Sequence, residues 1–252
     1  MATSRISGIY LKIERAKKHI ADLDVAIRAF CESKPYTIAT KPHPIAEIQH
    51  TTLYVSRVEP VPEDIGLIAG DVIHNLRSSL DHLAWQLIEA NGGTPGKGTY
   101  FPISESAEKY AAAIKRGVVD GMSVGAQKLI ADSQRHASGD NTLWFIHELD
   151  IVDKHRLLIT AVSSMDSWGV EAFVGDTMWF KEGMFFPLEV GYEIVNIPTS
   201  TYKRERHENF KLGIDVAFGK PEIAEGHLVL LALTKAADFV SGFVRQFEGF
   251  LV

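Results

Sequence analysis

The chain has 252 residues, 46% hydrophobic and 23% charged, with a formal net charge of −6. That length and balance suit a globular protein with a substantial buried core and exclude a disordered or fibrous chain. The acidic charge argues against tight nonspecific binding to nucleic acid, which needs Lys and Arg to neutralise phosphates, but permits a local and brief encounter.

In chain order, Ile6, Ile9, Ile13, Ala16, Ile20, Leu23, Ile27 and Phe30 alternate three-and-four spacings and predict a long helix packed lengthwise on another. Pro35 ends it. The only cysteine, Cys31, falls at the end of this pattern and reads as core; it permits no intrachain disulfide and fits a reducing cytoplasm. The N-terminal residues lack the unbroken apolar run of a signal peptide. Residues 45–58, IAEIQHTTLYVSRV, are β-branched and aromatic and predict a strand. Pro62, Glu63 and Asp64 start a second long helix, with acids at the positive end of its dipole, and Asn91-Gly92-Gly93 stops it. TPGKGTYFPIS reads as a loop.

Residues 105–134 predict two short helices broken near Gly117 to Gly121, and Asn141 or Thr142 caps a further helix, LWFIHELDIVDKH. The period then changes. LLITAV, VEAFVGDTMWF, MFFPLEVGYEIVNI and FKLGIDVAF alternate as strands of an antiparallel meander would. A last helix is expected from about 224 to 250; Lys235, Asp238 and Arg245 interrupt it, so it is not a membrane span. The expected fold class is α+β, one domain over 1–252. Helices near 5–34, 62–91, 105–155 and 224–250 form a bundle, and a β-rich insertion near 157–219 precedes the C-terminal helix.

Chemistry concentrates in Gly70 to Gln86, GDVIHNLRSSLDHLAWQ. At 100° per residue, Val72, Ile73, Leu76, Leu80, Leu83, Ala84 and Leu87 fill one arc of roughly 120°. Asp71, Asn75, Ser78 and His82 line the opposite side, flanked by His74, Arg77 and Asp81. A charged helix face is usually just solvated. Here, however, it is built from His, Asn, Ser and Asp, which are poorer helix formers than Lys and Glu. Two imidazoles, a guanidinium and two carboxylates are the parts of an acid–base site.

Arg77-Ser-Ser-Leu-Asp-His82 resembles the arginine, four-to-six residues, histidine motif of the HEPN superfamily of all-helical nucleic-acid enzymes and nucleotide-binding domains. Ser78 departs from the Asn, Asp or His that often follows the arginine there. The wider wording, GDVIHNLRSSLDHLAWQL and later DKHRLL, also resembles a group of uncharacterised bacterial and phage proteins. The resemblance implies a HEPN-like bundle and a metal-independent endoribonuclease without cofactor, in which the RNA 2′-hydroxyl is the nucleophile. It implies His82 as general base or acid and Arg77 on the scissile phosphate, oriented by Asn75, Ser78 and Asp81. Arg77 and His82 lie about 140° apart on one helix, so a homodimer across the motif helix is expected. A host–phage defence or toxin setting, with an antitoxin or regulatory protein as partner, comes from the same resemblance.

A second constellation, His147, Glu148, Asp150, Asp153, Lys154, His155 and Arg156, crowds the end of the DKH helix. Lys154 and Arg156 have a structural explanation at the negative end of the dipole, whereas Asp153 and His155 sit where side chains converge on clefts. The junction is expected to pack near the polar face carrying His74 and Asn75. Trp144, Phe145, Trp179, Phe185 and Phe186 could stack bases, although such aromatics are more often core. Two rival readings stand: a non-catalytic HEPN-like binding module, with Arg77, Asp81 and His82 in an internal salt-bridge network, and a metal hydrolase combining His82 with Asp153 and His155.

Overall fold

The computed structural model describes residues 5–45, 48–133, 135–136, 141–155, 158–165, 186–200, 202 and 213–251. Among these the fold is mixed α and β, with six α-helices and two three-stranded antiparallel sheets. Helix α1 runs Arg5–Glu32 and buries Ile9, Ile13, Ala16, Leu23, Ile27 and Phe30, the heptad positions of the sequence. Helix α2, Glu63–Ala90, follows Pro62 and lies against α1 along much of its length. Its leucine arc is fully enclosed: Leu76, Leu80, Leu83 and Ala84 have no solvent exposure. At roughly 1.5–3 kcal/mol for each large apolar side chain taken from water, this seam is a principal source of stability.

Between these helices the chain forms a hairpin, β1 (Tyr36–Ile45) and β2 (Ile48–Val58), paired from Tyr36 opposite Val58 to Ile45 opposite Ile48. Sequence reasoning found only the second strand. Pro42 and Pro44 argue against a strand, yet β1 lies at the edge of the sheet, where a missing N–H breaks no ladder. Helices α3 (Ala107–Lys115) and α4 (Val124–Ser133) are the two short helices expected. Ser106 caps α3 by accepting a hydrogen bond from the Lys109 N–H. Gly117 and Gly121 then turn the chain at φ of 89° and 85°. Helix α5 spans Thr142–His155.

Among the described residues the late strands do not run as the expected meander before the C-terminal helix. Strands β3 (Ile159–Met165), β4 (Phe186–Pro187) and β6 (Gly213–Lys220) form one sheet in the order β4-β3-β6, while β5 (Glu193–Pro198) leaves them and pairs with β2. The β-rich region is thus tied to the hairpin near the N-terminus. VEAFVGDTMWF, with Trp179, lies outside the described residues, as do Phe185 and Arg156. The last helix, α6, is shorter than expected, Val229–Arg245, followed by a 3₁₀ turn at Glu248–Phe250. Gly226 at φ 78° holds the residues just before it in a turn that a helix cannot include. Helix α2 touches α1, α5 and α6, and apolar residues from both sheets join the same buried cluster as the helices. Among the described residues no helix is long and apolar enough to cross a membrane.

The α2–α5 contact is close at Gly70. A Cβ there would stand 2.6 Å from Asp153 Cγ and nearer still to a carboxylate oxygen. Gly70→Ala should therefore lower stability by about 1–3 kcal/mol in urea unfolding, through overpacking. In an Asp153→Ala background the sign should reverse, because the obstacle is gone and alanine exceeds glycine in helix propensity by about 1 kcal/mol.

Candidate functional site

Arg77 is buried, with a side chain only 8% exposed. Its Nη2 donates to the Phe101 carbonyl at 3.1 Å, and its Nη1 lies 2.9 Å from Asp81 Oδ1. The same Asp81 oxygen accepts the Phe101 N–H at 2.9 Å. Guanidinium and carboxylate, one helical turn apart on α2, thus hold both polar groups of one backbone residue. The Phe101 ring is fully buried edge-on to Phe243, with centroids 5.5 Å apart. Helix α2 thereby fixes the loop after it as a wall beside its polar face.

The expectation that the α5 end packs near that face agrees with the contacts. Asp150 is buried; its Oδ2 receives Lys154 Nζ at 2.5 Å and its Oδ1 lies 3.4 Å from His74 Nδ1. The other His74 nitrogen is 3.4 Å from Ser78 Oγ. Asn75 donates to the Asp71 carbonyl one turn back. Burial, and then the charges of Asp150 and Asp71, hold the Asp153 carboxyl above its ordinary range. His155 is exposed at the helix end.

His82 stands apart. It is exposed, on the side of α2 that faces α1, where its Nδ1 is 3.9 Å from the place of a Cβ on Gly8. The structure therefore does not bring Arg77 and His82 together within one chain. Nor does it assemble His82 with Asp153 and His155: Asp153 packs at Gly70, twelve residues and about 18 Å of helix from His82. Among the described residues no cluster of three His, Cys, Asp or Glu is arranged to hold a metal ion. The internal network expected of Arg77, Asp81 and His82 exists for the first two only.

Arg77 faces a different histidine. A cleft of about 530 Å³ opens between the 100–105 loop, α3 and α5, and Arg77, Tyr100, Arg116, Trp144, His147 and Glu148 line it. Two of these lining residues carry a buried polar atom, Arg77 Nη1 and His147 Nδ1, with no hydrogen-bond partner among the described residues; the Arg77 contact with Asp81 is charge-paired but not aligned as a hydrogen bond. Buried polar groups are seldom left so. Burial, and next the positive charge of Arg77, push the His147 pKa down to about 4. Glu148 moves the other way, raised first by burial and then by Glu105. Sequence reasoning counted His147 and Glu148 in the second constellation but did not select them. Trp144, His147, Glu148 and Ile151 at i, i+3, i+4 and i+7 were the signal: one face of α5 mixing an aromatic with an acid–base pair.

No protein-family model, curated protein or solved structure matches this chain.

The His147 shift has measurable consequences. NMR titration of the imidazole should give a midpoint near 4, and Arg77→Met should raise it, because a charge that disfavours the imidazolium is gone. The folded pKa lies below the unfolded value of roughly 6.5, so the unfolded chain binds more protons between the two. The contribution of His147 to stability is complete above the unfolded pKa and declines as pH falls toward 4. An unfolding midpoint that does not change between pH 7 and 5 in wild type relative to His147→Phe would contradict this.

Proposed function

We propose that the chain is a metal-independent endoribonuclease of HEPN type whose reaction takes place in the Arg77 cleft, with His147 and Glu148 as the proton-transfer pair. The observation that carries this reading is that Arg77 and His147 line one cleft, each with a buried nitrogen, Nη1 and Nδ1, that has no hydrogen-bond partner among the described residues. A donor on a fixed cation beside an imidazole suits a phosphodiester oxygen. RNA brings its own nucleophile. The 2′-oxygen attacks phosphorus as the bond to the 5′-oxygen breaks, leaving a 2′,3′-cyclic phosphate. Arg77 stabilises the charge that grows on the phosphoryl oxygens, and Arg116 at the cleft wall adds attraction for the backbone.

The opposed pKa shifts support a division of roles. Burial and then Glu105 favour the protonated form of Glu148, while burial and then Arg77 favour the neutral form of His147. Neutral His147 accepts the 2′-hydroxyl proton and protonated Glu148 supplies one to the departing 5′-oxygen. Trp144 and Tyr100, in the same cleft, offer faces for the flanking bases. A reducing, cytoplasmic setting belongs to this proposal, in keeping with a lone, half-buried Cys31 whose thiol pKa is pushed up to about 11 by burial.

A second reading keeps the motif pair of the resemblance. Exposed and unengaged by described residues, His82 is free to enter the cleft of a second copy, so that a homodimer completes the site.

Cleavage of single-stranded RNA should survive EDTA and be strongest in weakly acidic solution, falling as Glu148 deprotonates. A bound phosphate raises both pKa values, so the kcat profile should lie at higher pH than that of kcat/KM. His147→Ala should reduce cleavage by about 10²-fold or more with RNA binding retained. Loss in His82→Ala with His147→Ala active would transfer the reaction to a site between two copies, and sedimentation should then show a dimer. RNA bound but uncleaved by wild type would leave a non-catalytic module, and dependence on added zinc or manganese would overturn the metal-independent mechanism.

A further inference from the structure

A second concavity, of about 460 Å³, lies where the first turn of α5 meets the 223–228 turn and the first half of α6. It is separate from the Arg77 cleft. On α5, His147 and Glu148 face that cleft, whereas Thr142 and Phe145 face this one. Its size falls within the roughly 300–1,000 Å³ of small-molecule sites. Its walls are chiefly apolar: Phe145, Ile223, Leu228 and Leu231. Leu231 is half exposed, an apolar surface that the fold leaves uncovered inside a concavity and not on a convex face. The His227 ring lies nearly parallel to that of Phe145, with centroids 6.0 Å apart and planes at 20°, and makes a flat wall.

Among the described residues that line this pocket, the charge has one sign. Lys235, one turn after Leu231 on the same face of α6, lines it and has no carboxylate partner among the described residues. Among the described residues no acidic side chain lines the pocket. A single ammonium, with an imidazole nearby and no arginine fork, matches one negative charge better than a phosphate dianion. We infer that this pocket binds a small organic monoanion, a carboxylic acid with an aromatic or aliphatic body. The carboxylate pairs with Lys235, and the body lies over Leu228, Leu231 and the Phe145–His227 wall. The polar head fixes orientation, while burial of the body supplies most of the affinity.

The test uses 4-phenylbutyrate and its uncharged amide, 4-phenylbutanamide, titrated into the full chain by calorimetry and by NMR of the His227 imidazole. The acid should bind at one saturable site and shift His227, and the amide should bind about tenfold or more weakly, the order expected for loss of a charge-assisted contact. Lys235→Met should weaken the acid by a similar factor and leave the amide unchanged, whereas Leu231→Asp should abolish binding of both. Because Lys235 and Leu231 are exposed, neither change should alter the unfolding midpoint appreciably. Absence of saturable binding at millimolar acid, equal affinity for acid and amide, or Lys235→Met binding the acid as wild type does would each overturn the proposal. His147→Ala should bind 4-phenylbutyrate normally, which separates this site from the cleft.

Discussion

The grip of Arg77 and Asp81 on the backbone of Phe101 is the constraint on which the rest of the molecule's polar architecture depends. A guanidinium so enclosed is costly unless it is paired and hydrogen-bonded. Here Asp81 compensates its charge, and the Phe101 carbonyl uses one of its donors. The carboxylate in turn satisfies the Phe101 N–H. With its backbone held, Phe101 inserts its ring beside Phe243 of α6 and Phe247 just beyond it, so one residue of a loop joins α2 to the C-terminal helix. The loop wall of the cleft follows from this arrangement.

Helix α5 is the second support, and its faces divide the chemistry. Asp150 points inward to α2, paired with Lys154 on one oxygen and 3.4 Å from His74 Nδ1 on the other. The glycine at position 70 lets Asp153 approach α2 closely. These contacts set α5 at a distance where His147 loses solvent and comes within the field of Arg77. The neighbouring Glu148 is shifted the other way, first because burial disfavours its carboxylate and then because Glu105 is nearby. Burial disfavours the charged form of each, so the proton affinities of these adjacent residues diverge, and Arg77 and Glu105 widen the difference. The N-terminal turn of α5 presents Phe145 to a separate, mostly apolar pocket.

Such an arrangement places polar function on a rigid frame. The leucine arc of α2 is fully buried against α1, and the opposite side of the same helix carries Arg77 and His74 toward α5. Apolar burial fixes the rotation of α2, and that rotation decides which polar residue meets which partner. His82, five residues beyond Arg77, is turned away by the same rotation and reaches solvent beside α1.

The long helices, their boundaries, the pair of short helices and the mixed α and β character were legible in the sequence, because each depends on local periodicity, proline and glycine. The heptad of α1 and the arc of α2 appear as buried residues at the expected positions. The first hairpin strand was hidden by Pro42 and Pro44, which are tolerated only because β1 is an edge strand, a property of the sheet and not of the segment. The departure of β5 to join β2 was likewise invisible, since alternation identifies a strand but not its partner. For the site, the sequence determined that α2 carries Arg77, Asp81 and His82 on its polar side. Only the tertiary structure decided that Arg77 engages Phe101 and faces His147 while His82 does not, because that pairing depends on how separate helices rotate and pack.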